Sequence, residues 1–113
     1  MKETTTAGGR ASFKYEGSTS SDIQLFFKSA TITIPTKLIK TTLANFQGKT
    51  IIGGFSMTDT PVEGLGYYIR EYSKSEFNRS LSPRYASHLS AIFRDEGLAN
   101  LTKDGRRVVV NFK

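Results

Sequence analysis

The chain has 113 residues, a length that predicts one domain with a single modest hydrophobic core. Hydrophobic residues make up 37% of the sequence, which is enough for a folded protein, and the absence of cysteine excludes disulfides, thiolate zinc sites and cysteine nucleophiles. No apolar run approaches membrane-spanning length and the N-terminus lacks the apolar core of a signal peptide, so we expect a soluble, cytoplasmic protein that does not associate with a membrane.

The charge of the chain favours a polyanionic partner. The formal net charge is +6, and Lys and Arg that neutralise phosphates release condensed counterions. No acidic residue occurs between Ile23 and Thr58, and from Phe77 onward seven basic residues stand against three acidic ones. The sequence therefore has two basic regions that suit nucleic acid.

The first 21 residues show little periodicity. They are rich in Thr, Ser and Gly, with only a brief strand-like alternation at Ser12–Glu16. We predict a flexible N-terminal arm over residues 1–21, ahead of a single domain over residues 22–113. A solvated terminus is the simpler interpretation of the arm, although its basic residues would also suit a phosphate backbone.

The segment 22–34 is predicted to be extended. Apolar residues alternate from Ile23 to Phe27 and again from Ile32 to Ile34, and Pro35 then stops a strand. A short helix over Ile23–Phe27 is the competing interpretation.

Two amphipathic helices are predicted in the middle of the chain. The first spans 36–46, with Thr36 as a candidate N-cap and Gly48 at its end, and a β-like run follows at Lys49–Ile52. The second spans 61–73, with a proline at its start and an apolar stripe at helical spacing.

The connection from Ser73 to Leu81 has two interpretations. Either 61–73 is the second helix and Lys74–Leu81 is an extended turn ahead of the third helix, or Ser75–Asn78 forms a short second helix of its own. We favour the short helix, because Phe77 and Leu81 could then pack into the core.

A third helix is predicted over 82–96, where Ser82 is a candidate N-cap and Pro83 occupies the first helical position. One face carries an apolar stripe and is expected to pack, and the opposite, polar face is expected to be free. The stripe consists of Tyr85, Leu89, Ile92 and Phe93, and the opposite face of Arg84, Ser87, His88, Ala91 and Arg94.

A β-hairpin is predicted over 98–112. Gly97 is placed to end the helix, and an Asp-Gly pair between two strand-like runs is a strong hairpin signal. A two-residue Asp104-Gly105 loop would pair Leu101 with Val108.

The order of capped helix, Gly, short strand, charged turn and β-branched strand in residues 81–112 resembles the second half of a winged helix-turn-helix domain of small prokaryotic or viral repressors. The resemblance is carried by Leu81-Ser82, Ser87-His88, the run Arg94–Leu98 and the run Gly105–Val109. It implies an α+β fold, a winged helix-turn-helix with an N-terminal β extension.

The same resemblance implies a set of DNA contacts. The third helix would lie in the major groove and the hairpin, or wing, on the phosphate backbone. The expected nucleic-acid contacts are Arg84, Ser87 and His88 on the helix, Lys103, Arg106 and Arg107 on the wing, and Arg79 just ahead of the helix.

These expectations favour a DNA-binding transcription regulator that binds double-stranded DNA, acts as a homodimer, and resides in the cytoplasm, or inside the host cell if the source is viral. One alternative is a winged-helix module that binds a protein within a larger complex. The other is a single-stranded nucleic-acid binder that uses Phe26, Phe27 and the tyrosines.

An enzyme fits the sequence poorly. The single histidine, His88, has no cysteine partner, and the pair Asp95-Glu96 is better explained as helix-surface charge than as a metal or general acid site. We therefore expect no catalytic residues, no metal and no cofactor.

Overall fold

The first third of the chain folds into a four-stranded antiparallel sheet. The computed structural model describes residues 2–9, 11–53, 64–78, 81–104 and 107–113, with Asp104 and Arg107 described by their backbone alone. The strands follow one another as a meander in the order β1-β2-β3-β4. Their bounds are β1 Lys2–Thr5, β2 Ser12–Glu16, β3 Ile23–Phe26 and β4 Thr31–Ile34.

The predicted flexible arm over residues 1–21 is wrong, because those residues contribute two of the four strands. The alternation at Ser12–Glu16 is that of a strand with one buried face, since Phe13 and Tyr15 are buried while Ser12, Lys14 and Glu16 are exposed. β1, with the sequence KETT, has no such alternation and is held by its pairing with β2. The extended prediction for residues 22–34 is confirmed as β3 and β4, and the competing short helix is wrong.

The rest of the chain supplies three described helices and a second antiparallel sheet, so the fold is α+β. The sheet has the order β5-β7-β6. The elements are α1 Thr36–Phe46, β5 Thr50–Ile52, α2 Leu65–Phe77, α3 Tyr85–Asp95, β6 Ala99–Asp104 and β7 Arg107–Phe112.

α1 has its predicted bounds, although Thr36 is its first residue and not its N-cap, and β5 begins at Thr50, one residue later than predicted. The prediction for α2 is less accurate. α2 begins at Leu65, and the predicted start at Pro61 lies outside the described residues. The helix continues past Ser73 to Phe77 and ends where Asn78 adopts a left-handed conformation with φ 54°. Ser75 to Phe77 are thus the last turn of α2, and neither predicted interpretation of this connection is correct.

The Ser73 side chain explains how α2 connects to the next segment. Its buried hydroxyl donates to the carbonyl oxygen of Ile69 at 2.6 Å and accepts from the N–H of Leu81 at 2.8 Å. An N–H that follows the helix end is thereby satisfied without water.

The ends of α3 agree with the sequence signals within a few residues. The Ser82 hydroxyl accepts from the N–H of Arg84 at 3.3 Å, and regular helix begins at Tyr85. At the other end Gly97 has φ 75°, a conformation that residues with a Cβ rarely adopt, and the N–H of Leu98 donates to the carbonyl of Phe93 at 2.9 Å.

The hairpin is present, but its register differs from the prediction by two residues. Leu101 pairs with Val110, and Asp104 lies within β6 opposite Arg107. A shift of two residues keeps every side chain on its predicted face, because the side-chain period of a strand is two. Val108, Val110 and Phe112 accordingly face the core.

α3 lies between the two sheets and is the most buried helix described. Leu89, Ile92 and Phe93 are fully buried, as the apolar stripe predicts. The polar face is not free, because Ala91 is also fully buried and His88 is only 8% exposed. The first sheet covers this face, and the sequence prediction of a free face is wrong.

Candidate nucleic-acid interface

The end of the β6–β7 hairpin at Lys103 and Val108 and the first turn of α3 lie at the same end of the molecule. Near the end of α3, the ring of Phe93 packs on Phe112, with centroids 5.6 Å apart. One turn earlier, Ser90 Oγ donates to the carbonyl of Gly53 at 3.3 Å, and the Gly53 N–H donates to the carbonyl of Val108 at 2.9 Å. The N-terminal end of α3 therefore lies toward the end of β7 at which Val108 is found, and its C-terminal end lies toward Phe112.

Arg84 is exposed at this end and is held in place by two aromatic rings. Its guanidinium carbon lies 5.6 Å from the ring centroid of Phe27 and 5.8 Å from that of Tyr85. Both distances are in the range of cation–π attraction. The two rings are 6.1 Å apart and only partly buried, so aromatic surface and charge are presented together.

Two lysines extend this positive charge. Lys28 follows Phe27 in the turn between β3 and β4, and it is exposed. Lys103 is exposed near the hairpin tip, and its register opposite Val108 directs its side chain to the side of the sheet that faces α3. We call Lys28, Arg84 and Lys103 together the cationic end of α3.

His88 is part of the core rather than of the surface. Its ring contacts those of Phe13, Phe27 and Tyr85, with centroids 4.7, 5.3 and 5.9 Å away, and its Nδ1 lies 3.3 Å from the carbonyl oxygen of Arg84. Burial lowers the pKa of His88 and the nearby Arg84 charge adds to this, against an opposing effect of the hydrogen bond. The imidazole is thus a neutral packing group, unsuited to contact DNA where it lies.

Ser87 lies under the same cover. It is partly buried, and its carbonyl oxygen accepts a hydrogen bond from the N–H of Ala7 at 3.1 Å. Further along the helix, Arg94 Nη2 donates to Thr4 Oγ1 at 3.0 Å and to the Thr5 carbonyl at 3.2 Å. The first sheet therefore follows α3 for most of its length.

The other predicted contacts are only partly described. Arg79 and Arg106 lie outside the described residues, and for Arg107 the backbone position in β7 is described but not the side chain. Of the predicted set, the structure brings Arg84 and Lys103 to one end and places Ser87 and His88 beneath the first sheet. Lys28 is absent from the predicted set. The sequence signal that could have identified it is the Phe26-Phe27 pair directly ahead of it, which indicates that this turn packs against another element.

Within the described ranges, no cluster of three or more His, Asp or Glu side chains could hold a metal ion. Among the helices that the structure describes, none has the length and apolar character needed to cross a membrane.

Comparisons with known protein families, with characterised proteins and with solved structures find no match to this chain.

Proposed function

We propose that this chain is a winged-helix protein that binds double-stranded DNA, as a transcription regulator does, and that it holds the duplex at the cationic end of α3. The described elements between Thr36 and Phe112 follow the order helix, strand, helix, helix, strand, strand, which is the order that a winged helix uses. The observation that carries the proposal is the position of Arg84, exposed on its two aromatic rings at the same end as Lys28 and Lys103.

Contact with phosphate follows from the chemistry of this end. The first N–H groups of α3 already donate to the carbonyls of Ser82, Pro83 and Arg84, so an incoming phosphate is bound by side-chain cations. Arg84 suits that role because its guanidinium presents several donors to phosphate oxygens. Its stacking on Phe27 and Tyr85 also reduces the side-chain entropy that binding would otherwise cost.

The covered polar face limits what this protein reads in DNA. Phosphate contacts position a duplex without carrying sequence information, and base-edge contacts require side chains that reach the groove. Ser87 and His88, which the resemblance assigns to the major groove, lie under the first sheet. The proposal therefore rests on backbone contacts rather than on base readout.

A salt-dependent binding assay tests the proposal. The double variant Arg84→Ala with Lys103→Ala is titrated into a fluorescent duplex and followed by anisotropy over a series of salt concentrations. Each lost phosphate contact reduces the slope of log K against log salt by about 0.9, so the expected reduction is roughly 1.8, with affinity weakened about tenfold or more.

The matched control is Lys49→Ala with Lys113→Ala, which removes the same charge at the opposite end of α3. Both lysines are exposed, and they flank Phe112 and the Gly97 turn. We expect the control to bind nearly as well as the wild type. Equal effects of the two pairs, or no effect of the first pair on affinity and slope, would show that the cationic end is not the DNA site.

The rival function, a winged-helix module that binds protein, is favoured by the cover over α3, because that cover removes the surface with which a recognition helix reads DNA. This rival predicts no measurable duplex binding even in low salt. A clear preference for unpaired over duplex oligonucleotides would instead favour single-strand binding through the exposed aromatic rings.

A further inference from the structure

β4 forms the outer edge of the first sheet. It lies at the end of the order β1-β2-β3-β4, and no other described strand pairs with its outer side. We propose that two copies of this chain associate through β4, so that their four-stranded sheets join into one eight-stranded antiparallel sheet across a two-fold axis. This pairing does not depend on the proposed DNA binding.

β4 is short and Pro35 follows it, but the strand itself carries none of the charged residues or prolines that usually protect a sheet edge. Its four residues, Thr31 to Ile34, are all β-branched and uncharged, and the strand has no internal proline. Natural proteins normally block exposed edges with lysine, proline, bulges or a cover, because an open row of N–H and C=O groups pairs readily with another chain.

The other described edges differ from β4 in this respect. β1 carries Lys2 and Glu3, and β6 ends in Lys103 and Asp104, so both have charges on the edge strand. β5 has only three residues and follows Lys49 directly. β4 is the edge, among those described, that is best suited to pair with a second chain.

The hairpin between β3 and β4 determines which backbone groups of β4 point outward. Phe27 and Ala30 exchange two hydrogen bonds, at 2.8 and 3.4 Å, and such pairs alternate with non-bonded pairs along an antiparallel ladder. Ile32, which lies opposite Leu25, is therefore the next residue bonded to β3. The N–H and C=O groups of the residues on either side of Ile32 consequently face the open edge.

This register is self-complementary. A second β4, antiparallel and centred on Ile32, places Thr31 of each copy opposite Thr33 of the other. Each of the two Thr31–Thr33 pairs forms two N–H···O=C hydrogen bonds, four in all. These bonds satisfy every N–H and C=O group that Thr31 and Thr33 direct toward the open edge. A two-fold axis makes both halves of the contact identical, as in most homodimers.

The side chains agree with the same register. At the centre, the half-buried Ile32 meets its own copy across a non-bonded pair, the closer of the two pair types in an antiparallel ladder. On the other face, the exposed Thr31 and Thr33 form cross-strand Thr–Thr pairs, which are favourable. Two four-residue strands bury less surface than a standard interface of about 1,600 Å², so the dimer is expected to dissociate reversibly on dilution.

Sedimentation over a range of protein concentrations tests the pairing. The wild type is expected to shift from 12.5 kDa toward twice that mass as concentration rises. The variant Thr31→Lys with Thr33→Lys places Lys opposite Lys twice and is expected to remain monomeric. The control Thr5→Lys with Ala11→Lys adds the same charge to exposed positions at the β1–β2 turn, away from β4, and is expected to dimerise like the wild type.

Charge complementation then tests the register itself. The variant Thr31→Glu with Thr33→Glu is expected to be monomeric alone and to form a heterodimer when mixed with the Lys variant, because each Glu then lies opposite a Lys. A wild type that stays monomeric up to its solubility limit would overturn the proposal. So would a Lys variant that dimerises like the wild type, or a mixture of the two charged variants that stays monomeric.

Discussion

His88 packs in the core, although its residue type suggests a contact with DNA. As the single histidine of a basic chain, it is a natural candidate for a DNA contact. Its ring instead packs among Phe13, Phe27 and Tyr85, and it joins the first sheet to α3. Arg84 is the charged group beside it, and a second positive charge at this position is unfavourable.

This environment predicts a loss of stability on mild acidification. Because burial lowers the pKa of His88 below 6.5, the unfolded chain binds a proton that the folded chain resists. The contribution of His88 to stability is thus present above pH 6.5 and is lost as pH falls through its lowered folded pKa. We expect the urea midpoint to fall between pH 7.5 and about pH 5.5, and His88→Phe to reduce that dependence while preserving the aromatic packing.

Asp22 does not interfere with this measurement. Hydrogen bonds from the hydroxyl and the N–H of Thr36 lower the pKa of Asp22 below 3.8. The stability that Asp22 contributes is therefore lost only at a pH below 3.8, outside the range of this measurement. A pH dependence that is unchanged in the His88→Phe variant would show that His88 is not the titrating group.

Among the elements, the first sheet differs most from the sequence prediction, which has a flexible arm in place of β1 and β2. Phe13 and Tyr15 belong to the same buried cluster as Leu89 and Ile92 of α3. Phe13→Ala is therefore expected to lower the free energy of unfolding by about 3–5 kcal/mol in a urea titration, the usual cost of truncating a buried Phe.

Its exposed neighbour provides the control for this prediction. Lys14→Ala, on the outer face of the same strand, is expected to change stability by less than about 0.5 kcal/mol. A flexible arm, which is what the sequence predicts here, would make both substitutions neutral.

The elements that the sequence predicts well are those specified by their own periodicity and end signals. α1, β5 and the hairpin strands belong to this group, and so does Gly97, whose position past the apolar stripe marks the end of α3. The length of α2 could not be predicted, because Ser73 lies inside the helix and the hydrogen bond that its hydroxyl accepts from the N–H of Leu81 is not visible in a local pattern.

The candidate site could be predicted only in part, for a related reason. Arg84 and Lys103 follow from charge and turn signals along the chain. The cover over His88 comes from strands distant in sequence, and helical spacing shows which residues share a face without showing what packs against it. Long-range packing thus decides which of two faces is free.

At the scale of the whole molecule, the first sheet and α3 share one hydrophobic core. The radius of gyration is 12.7 Å, close to the roughly 13 Å of a single domain of this size, and the core cluster includes residues of both sheets. A protein built this way presents Arg84 and Lys103 at one end without any rearrangement. A recognition helix that entered the major groove would instead require the first sheet to leave α3.

An engineered disulfide distinguishes these two modes of DNA binding. The chain has no cysteine, so Ala7→Cys with Ser87→Cys introduces a single possible bridge where the backbone N–H of one residue donates to the carbonyl of the other at 3.1 Å. Oxidation locks the segment after β1 to α3, and reduction of the same sample is the internal control. We expect anisotropy titrations to give the same DNA affinity in both states, because the cationic end stays exposed while the first sheet is fixed. An affinity that disappears on oxidation and returns on reduction would show that α3 must be uncovered, and would favour base readout by the exposed helix over phosphate contact by Arg84.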